Sequence, residues 1–201
     1  MESLQRIYAG VKLGSRCILE EFTILGVPPP GHREGELKTI IGDGAHIRSH
    51  TVIYAGNRIG RNFQTGNKVN IRELNEIGDD VSIGTLSVIE HHVKIGNGVR
   101  IHSQAFVPEY SILEDGAWLG PNVVLTNAKY PLSLDAKKSL KGPIVREGAK
   151  IGANSTVLPG IVVGTNSLVG AGSVVVKEVP DNAVVAGNPA KLIKRISELP
   201  Y

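Results

Sequence analysis

Cysteine, tryptophan and methionine each occur only once in this 201-residue chain. A single cysteine, Cys17, excludes an internal disulfide, so no covalent staple can stand in for a core. No stretch is apolar for long enough to cross a bilayer, and the N-terminus has no apolar segment ahead of a cleavage-like site. Membrane insertion is therefore not expected, and the cytoplasm is the default compartment. Aromatic residues make up 4% of the chain, with three phenylalanines. Without aromatic stacking positions or a recognition module, a net charge of +3 does not point to nucleic acid. Much of the positive charge lies late, at Lys129, Lys137, Lys138, Lys141, Lys150, Lys177, Lys191, Lys194 and Arg195, which suits an anionic cofactor with an anionic small molecule.

What is abundant is aliphatic and periodic. From Ile41 to Leu125 every sixth residue is Ile, Leu or Val, with Thr65 the one exception. The same step runs through Ile7, Leu13, Leu19 and Leu25, and later through Val145, Ile151, Val157, Val163, Val169 and Val175. Six matches neither the 3.6 period of a helix nor the plain alternation of a long strand. Two places before each aliphatic stands a small or β-branched residue, such as Ala45, Thr51, Val81, Ser87 or Ala117, so each hexad sends a small and a large side chain inward. Cys17 falls in one of these small slots and reads as core, not nucleophile. Gly then Asp or Asn often follows the aliphatic and provides a corner. Short strands joined by corners make a solenoid. Three hexads per coil would stack residues eighteen apart at about 4.8 Å, although spacing alone leaves the three-sided closure and its hand open.

The repeated units Ile59-Gly60, Ile77-Gly78 and Ile95-Gly96 resemble those of the hexapeptide-repeat acyltransferases over residues 7–188. The ending Val179-Pro180-Asp181-Asn182-Ala183-Val184-Val185-Ala186-Gly187-Asn188-Pro189-Ala190-Lys191 is similar to the exit in sugar and nucleotide-sugar acetyltransferases. The resemblance implies an all-β, left-handed parallel β-helix over 1–187 with an external loop, then a short C-terminal α-helix and tail over 188–201. Local signals support that helix: Asn188 as cap, Pro189 at the first position, and an apolar stripe of Leu192, Ile193, Ile196 and Leu199.

Two breaks interrupt the rhythm. At 26–40 the phase shifts by four across a Pro-rich stretch that cannot form a rung, and Arg33 there is a candidate phosphate or carboxylate contact. At 126–144 the start Thr126-Asn127-Ala128-Lys129-Tyr130-Pro131 resembles the external loop of sugar acetyltransferases, which reaches toward a neighbouring subunit. In the simple-sugar enzymes the catalytic histidine immediately precedes that proline. Here the place is held by Tyr130, a candidate substrate contact and a poor resting base.

Counting in eighteens aligns Glu73, His91, Glu109 and Asn127 at one corner. Carboxylates beside an imidazole stabilise its protonated form and can orient the ring, so His91 is the candidate general base. The segment Ile89-Glu90-His91-His92 also resembles the Glu-His-Asp segment of nucleotide-amino-sugar N-acetyltransferases, with His92 where that pattern has an acid. His102, stacked with Gly66, Gly84 and Gly120, and the outward Asn67 and Asn70 are candidate substrate contacts; His46 and His50 read as surface residues.

The implied reaction is transfer of an acetyl group from acetyl-CoA to the amine of a nucleotide-linked amino sugar by direct attack, with backbone N–H groups or an Asn side chain steadying the developing oxyanion. The resemblance implies a homotrimer with active sites between subunits. It places coenzyme A along the late coils, against Ala153, Gly170, Ala171 and Gly172, with Lys177 and Lys191 toward its phosphates. No metal is required by this chemistry. O-acetylation of a sugar or serine hydroxyl, a gamma-type carbonic anhydrase and a noncatalytic scaffold are the competing readings.

Overall fold

The computed structural model describes residues 4–200. Strands mostly two or three residues long recur at each hexad and assemble into three sheets of nine, eight and ten strands, here called I, II and III, all parallel except for the last strand of III. Register confirms the count in eighteens. Ile71 pairs with Ile89 in sheet I, Ile77 with Ile95 in sheet II, and Ile83 with Ile101 in sheet III. Each coil thus visits the three sheets in turn and closes a triangle, the left-handed β-helix that the repeat and its resemblance predict.

The core is the hexad itself. Ile47, Ile53, Ile71, Ile89, Val107, Leu119, Leu125 and Val157 are fully buried, as are the small partners Ala45, Val81, Val93, Val99, Ala117 and Val123. Thr65 stays inside because its hydroxyl is satisfied: it accepts the Arg48 N–H at 2.9 Å and meets the Thr51 hydroxyl at 3.3 Å. The first coil is looser. Ile7 is 48% exposed, and Cys17 is only half-buried, with Sγ against the Gly42 and Ser15 carbonyls.

Both interruptions leave from the same corner, between sheets I and II. The first lies between Ile24–Val27 and Thr39–Ile41, where the pairing offset widens from eighteen residues to twenty-eight, Leu25 to Ile53. Glu34 pins this loop to the first coil by accepting the Ala9 N–H at 2.9 Å. The second lies between Val124–Leu125 and Ile144–Val145 and holds one 3-10 turn, Ala136–Lys138. Leu132 and Leu134 at its tip are fully exposed.

The C-terminal expectation needs correction. Instead of an α-helix from 188, Ala190–Arg195 is a strand running antiparallel to Ala183–Gly187, and only Ile196–Glu198 forms a 3-10 turn. Local helix signals lose here to the free edge of sheet III. Ala183–Gly187 already pairs with Leu168–Val169, and the returning chain satisfies the N–H and C=O groups on its other side. Leu192 and Ile193 remain 60% and 58% exposed, whereas Ile196 and Leu199 are half-buried, so only the far half of the stripe packs within the chain.

Candidate active site

The corner between sheets I and II carries the stacked column. The turns Arg72-Glu73-Leu74-Asn75, Glu90-His91-His92-Val93 and Pro108-Glu109-Tyr110-Ser111 lie one above another because the strands before them pair in register. His91 Nε2 lies 3.7 Å from a Glu109 carboxylate oxygen, and the other oxygen accepts the Asn127 side-chain amide at 2.6 Å. Three of the four column residues therefore form a connected line, Asn127 to Glu109 to His91. The fourth is turned aside: Glu73 accepts two hydrogen bonds from Arg72, at 2.9 and 3.1 Å.

Arg72 is the residue that the column count missed. Besides holding Glu73 it sits 3.8 Å from Glu90 and 4.9 Å from the centre of the Tyr54 ring. Counting eighteens one place earlier, through Tyr54, Arg72 and Glu90, would have found it. A second missed signal was polar residues in the small inward slot. Buried Asn75 accepts the Val93 N–H at 2.7 Å and donates to the Arg72 carbonyl at 2.8 Å. Asn57 repeats the device one coil earlier, on the Asn75 N–H and the Tyr54 and Arg72 carbonyls. The turns bearing Tyr54, Arg72 and His91 are thus tied together from inside.

His92 adopts a left-handed backbone, φ 57°, and its Nδ1 lies 2.8 Å from His91 Nδ1, so one ring donates and the other accepts. With a carboxylate near His91 Nε2, the tautomer protonated there leaves Nδ1 as the acceptor. Tyr110 packs against both rings at 6.0 and 5.6 Å.

Two carboxyls are shifted in opposite directions. Burial favours the neutral form of Glu73, but the Arg72 hydrogen bonds, its own backbone N–H and nearby positive charge outweigh it and hold the carboxyl below the usual 4.5. For Glu90 burial dominates and raises the carboxyl above that value; Arg72 opposes the shift and Glu109 adds to it. The linkage signs follow. Ionised Glu73 stabilises the fold above the ordinary carboxylate range, and this is lost as pH falls through its lower folded value. Ionised Glu90 costs stability at neutral pH, a cost relieved as it protonates. Glu73→Gln should lower stability at pH 7 and Glu90→Gln should raise it, with both differences vanishing in acid. Urea unfolding from pH 3 to 7 checks both.

The family model described as bacterial transferase hexapeptide (six repeats) matches residues 76–109 and 142–177, the first of which includes His91 and ends at Glu109. The chain carries the repeat of the hexapeptide-repeat acyltransferases and is similar to members of that family. A galactoside O-acetyltransferase of Lactococcus lactis is 40% identical over 39% of this chain and 40% of its own length. Serine acetyltransferase 2 of Arabidopsis thaliana is 38% identical over 50% of this chain and 34% of its own. The chain thus spans less than half the length of either relative. The solved UDP-N-acetylglucosamine acyltransferase LpxA of Bacteroides fragilis shares the fold at 16% identity, with a TM-score of 0.63 over 97% of this chain and 74% of that one.

For a hexapeptide-repeat chain, the remaining candidates divide between edges. Arg33 and Tyr130 lie on the two loops of the I–II corner, and both are exposed. Lys177 follows the last sheet I strand at the same corner, whereas Lys191 is on the C-terminal hairpin of sheet III. Ala153, Gly170, Ala171 and Gly172 gather instead at the III–I corner, as do Asn67 and His102. Asn67 there donates to the Ser49 hydroxyl at 3.2 Å. Asn70 faces outward on sheet I, between these edges. The edge at Ala153 and Ala171 fits a long thin ligand: it has no bulky side chain, and the space where a Gly172 side chain would begin is open to 4 Å. Among the described residues no three histidine, cysteine or carboxylate groups gather as metal ligands, and no helix is long and apolar enough to cross a membrane.

Proposed function

We propose that this chain is an acetyl-CoA-dependent N-acetyltransferase acting on the amine of a nucleotide-linked amino sugar. The observation that carries it is the line from Asn127 through Glu109 to His91, on an edge bracketed by two long loops. Acetyl-CoA supplies the activated acyl carbonyl when bound. Glu109, fixed by Asn127, orients His91 through Nε2, and the Nδ1 lone pair takes the proton of the attacking amine once His92 yields its place or relays the proton. The same proton then serves the departing thiolate. Glu73 keeps Arg72 against Tyr54 and Glu90 and so shapes the floor of the site.

The base and the small-residue edge lie on different corners of one chain. A closed homotrimer would bring the His91 corner of one copy against the Ala153–Gly172 corner of the next, and Arg33 and Tyr130 would then wall the groove. O-acetylation is the second reading, favoured by the galactoside and serine acetyltransferases among the relatives. Against it stands Tyr130, in the place where simple-sugar enzymes carry a histidine.

The deciding experiment incubates the protein with acetyl-CoA and parallel panels of nucleotide-linked amino sugars, galactosides and serine, following free thiol and product mass. N-acetylated nucleotide sugar is the expected product. Transfer confined to hydroxyl acceptors would overturn the reading.

A further inference from the structure

A second recess lies away from the His91 column, on sheet III and its corner with sheet I, and the eighteen-residue register explains why it exists. Outward positions on sheet III run Gln64, Ser82, Arg100, Trp118 in successive coils. The adjoining corner positions run Arg48, Gly66, Gly84, His102. Short Ser82 and the two glycines leave a hollow of about 260 Å³, closed at one end by Arg48 and at the other by His102, whose ring packs on Trp118 at 4.6 Å. Neither glycine can be replaced without moving the next coil, since a side chain would begin 2.3 Å from the Thr85 N at Gly66 and 2.4 Å from the Ser103 N at Gly84.

The lining is one-sided in charge. It includes Arg48 and Arg100 and no carboxylate, whereas the larger cavity on sheet II sets Glu76, Asp79, Glu114, Asp115 and Glu147 beside Arg58 and Lys94. Arg48 already donates to the Thr65 carbonyl and lies 3.8 Å from Glu20. The Arg100 guanidinium and the side chains of Gln64, Ser82 and Ser103 have no partner among the described residues. A free guanidinium with hydroxyl and amide donors around a hollow matches a phosphorylated ligand, because guanidinium and phosphate pair bidentately. From Arg48 to His102 is three coils, about 14 Å, room for more than one phosphate.

We propose that this recess binds the diphosphate of a nucleotide-linked acceptor, with Arg100 as its principal contact and Arg48, Ser82 and Ser103 in support. The assignment of that ligand as the acceptor rests on the function proposed above. His102 belongs to the same coil as His91, two sheets further on, so copies packed side by side would hold the recess of one level with the base of the next. His102, one of the candidate substrate contacts, forms the end wall: its ring packs on Trp118 and its Nε2 is buried without a partner.

The test measures binding of inorganic pyrophosphate by calorimetry to the wild type, Arg100→Gln and Arg58→Gln, the last removing an equal charge from the sheet II cavity. Arg100→Gln should weaken binding at least tenfold and Arg58→Gln should leave it unchanged. Equal loss in both, or none in Arg100→Gln, would overturn the site. Coenzyme A affinity should be the same in Arg100→Gln as in the wild type; a tenfold loss would assign the recess to the cofactor's diphosphate and overturn the acceptor role. In turnover, Arg100→Gln should raise KM for the nucleotide-linked amino sugar and spare kcat. Specific pyrophosphate binding in a protein that acetylates no such sugar would leave the anion site standing and remove the function reading.

Discussion

Replacing His91 with asparagine should lower kcat for an amine acceptor by about 10²–10⁴-fold, the range expected when a positioned base is lost. Asparagine is smaller, polar and uncharged, so binding of both substrates should change little, and the loss should fall on kcat. The structure makes the test selective. His91 lies beside Glu109, which is held in turn by Asn127, whereas His46, paired with Glu20 at 3.0 Å, lies on sheet III, away from the column. His92 is the nearest substitute, 2.8 Å away but exposed. If saturated turnover stays within about threefold of wild type, a span far below that expected of a base, the proton is handled elsewhere. Running His92→Ala in parallel separates relay from base: a relay predicts partial loss in His92→Ala and near-complete loss in His91→Asn.

Ile101→Ala should be a severe truncation away from the His91 column, costing about 2–5 kcal/mol. Ile101 is 2% exposed, paired with Ile83 below and Leu119 above, and lies in the middle of the stack. A rung in a solenoid touches only its neighbours, so a cavity there weakens two interfaces at once and little elsewhere. The same change at Ile7, a hexad position of the first coil on sheet I that is 48% exposed, should cost less than half as much. Urea denaturation of the two variants measures the difference. Equal losses would mean that the first coil packs as tightly as the middle ones, contrary to the burial gradient.

Much of this was legible in the residues because a β-helix is nearly one-dimensional. Once six is the period, inward and outward faces follow, and eighteen places His91 over Glu73 and under Glu109. The triangular closure depended on backbone pairing, which the hexad permits without requiring. At the site, the count located the column but not its partners. Glu73 turned to Arg72 because a guanidinium one residue away offers two charge-assisted hydrogen bonds, more than a histidine one coil above can. The C-terminal helix failed for a similar reason. Asn188, Pro189 and the spacing of Leu192 and Ile196 are helix signals in isolation, but they cannot register that Ala183–Gly187 leaves an open sheet edge beside them. Loops gave the least. Proline and glycine announced where Gly26–Ile40 leaves the rhythm, whereas the sharing of one corner by both loops emerged only from the closed coil.

That shared corner makes the chain a ruler. From Leu25 to Leu125, the roots of the two loops, the sheet I positions climb through Ile53, Ile71, Ile89 and Val107, five steps that set the loops about 24 Å apart. No side-chain change can stretch this interval, since every step is fixed by backbone pairing. It can lengthen or shorten only by whole coils, about 4.8 Å at a time. Acceptors of different reach would therefore be matched by adding or deleting eighteen-residue units between the loops, leaving the turns at His91 and Glu109 untouched.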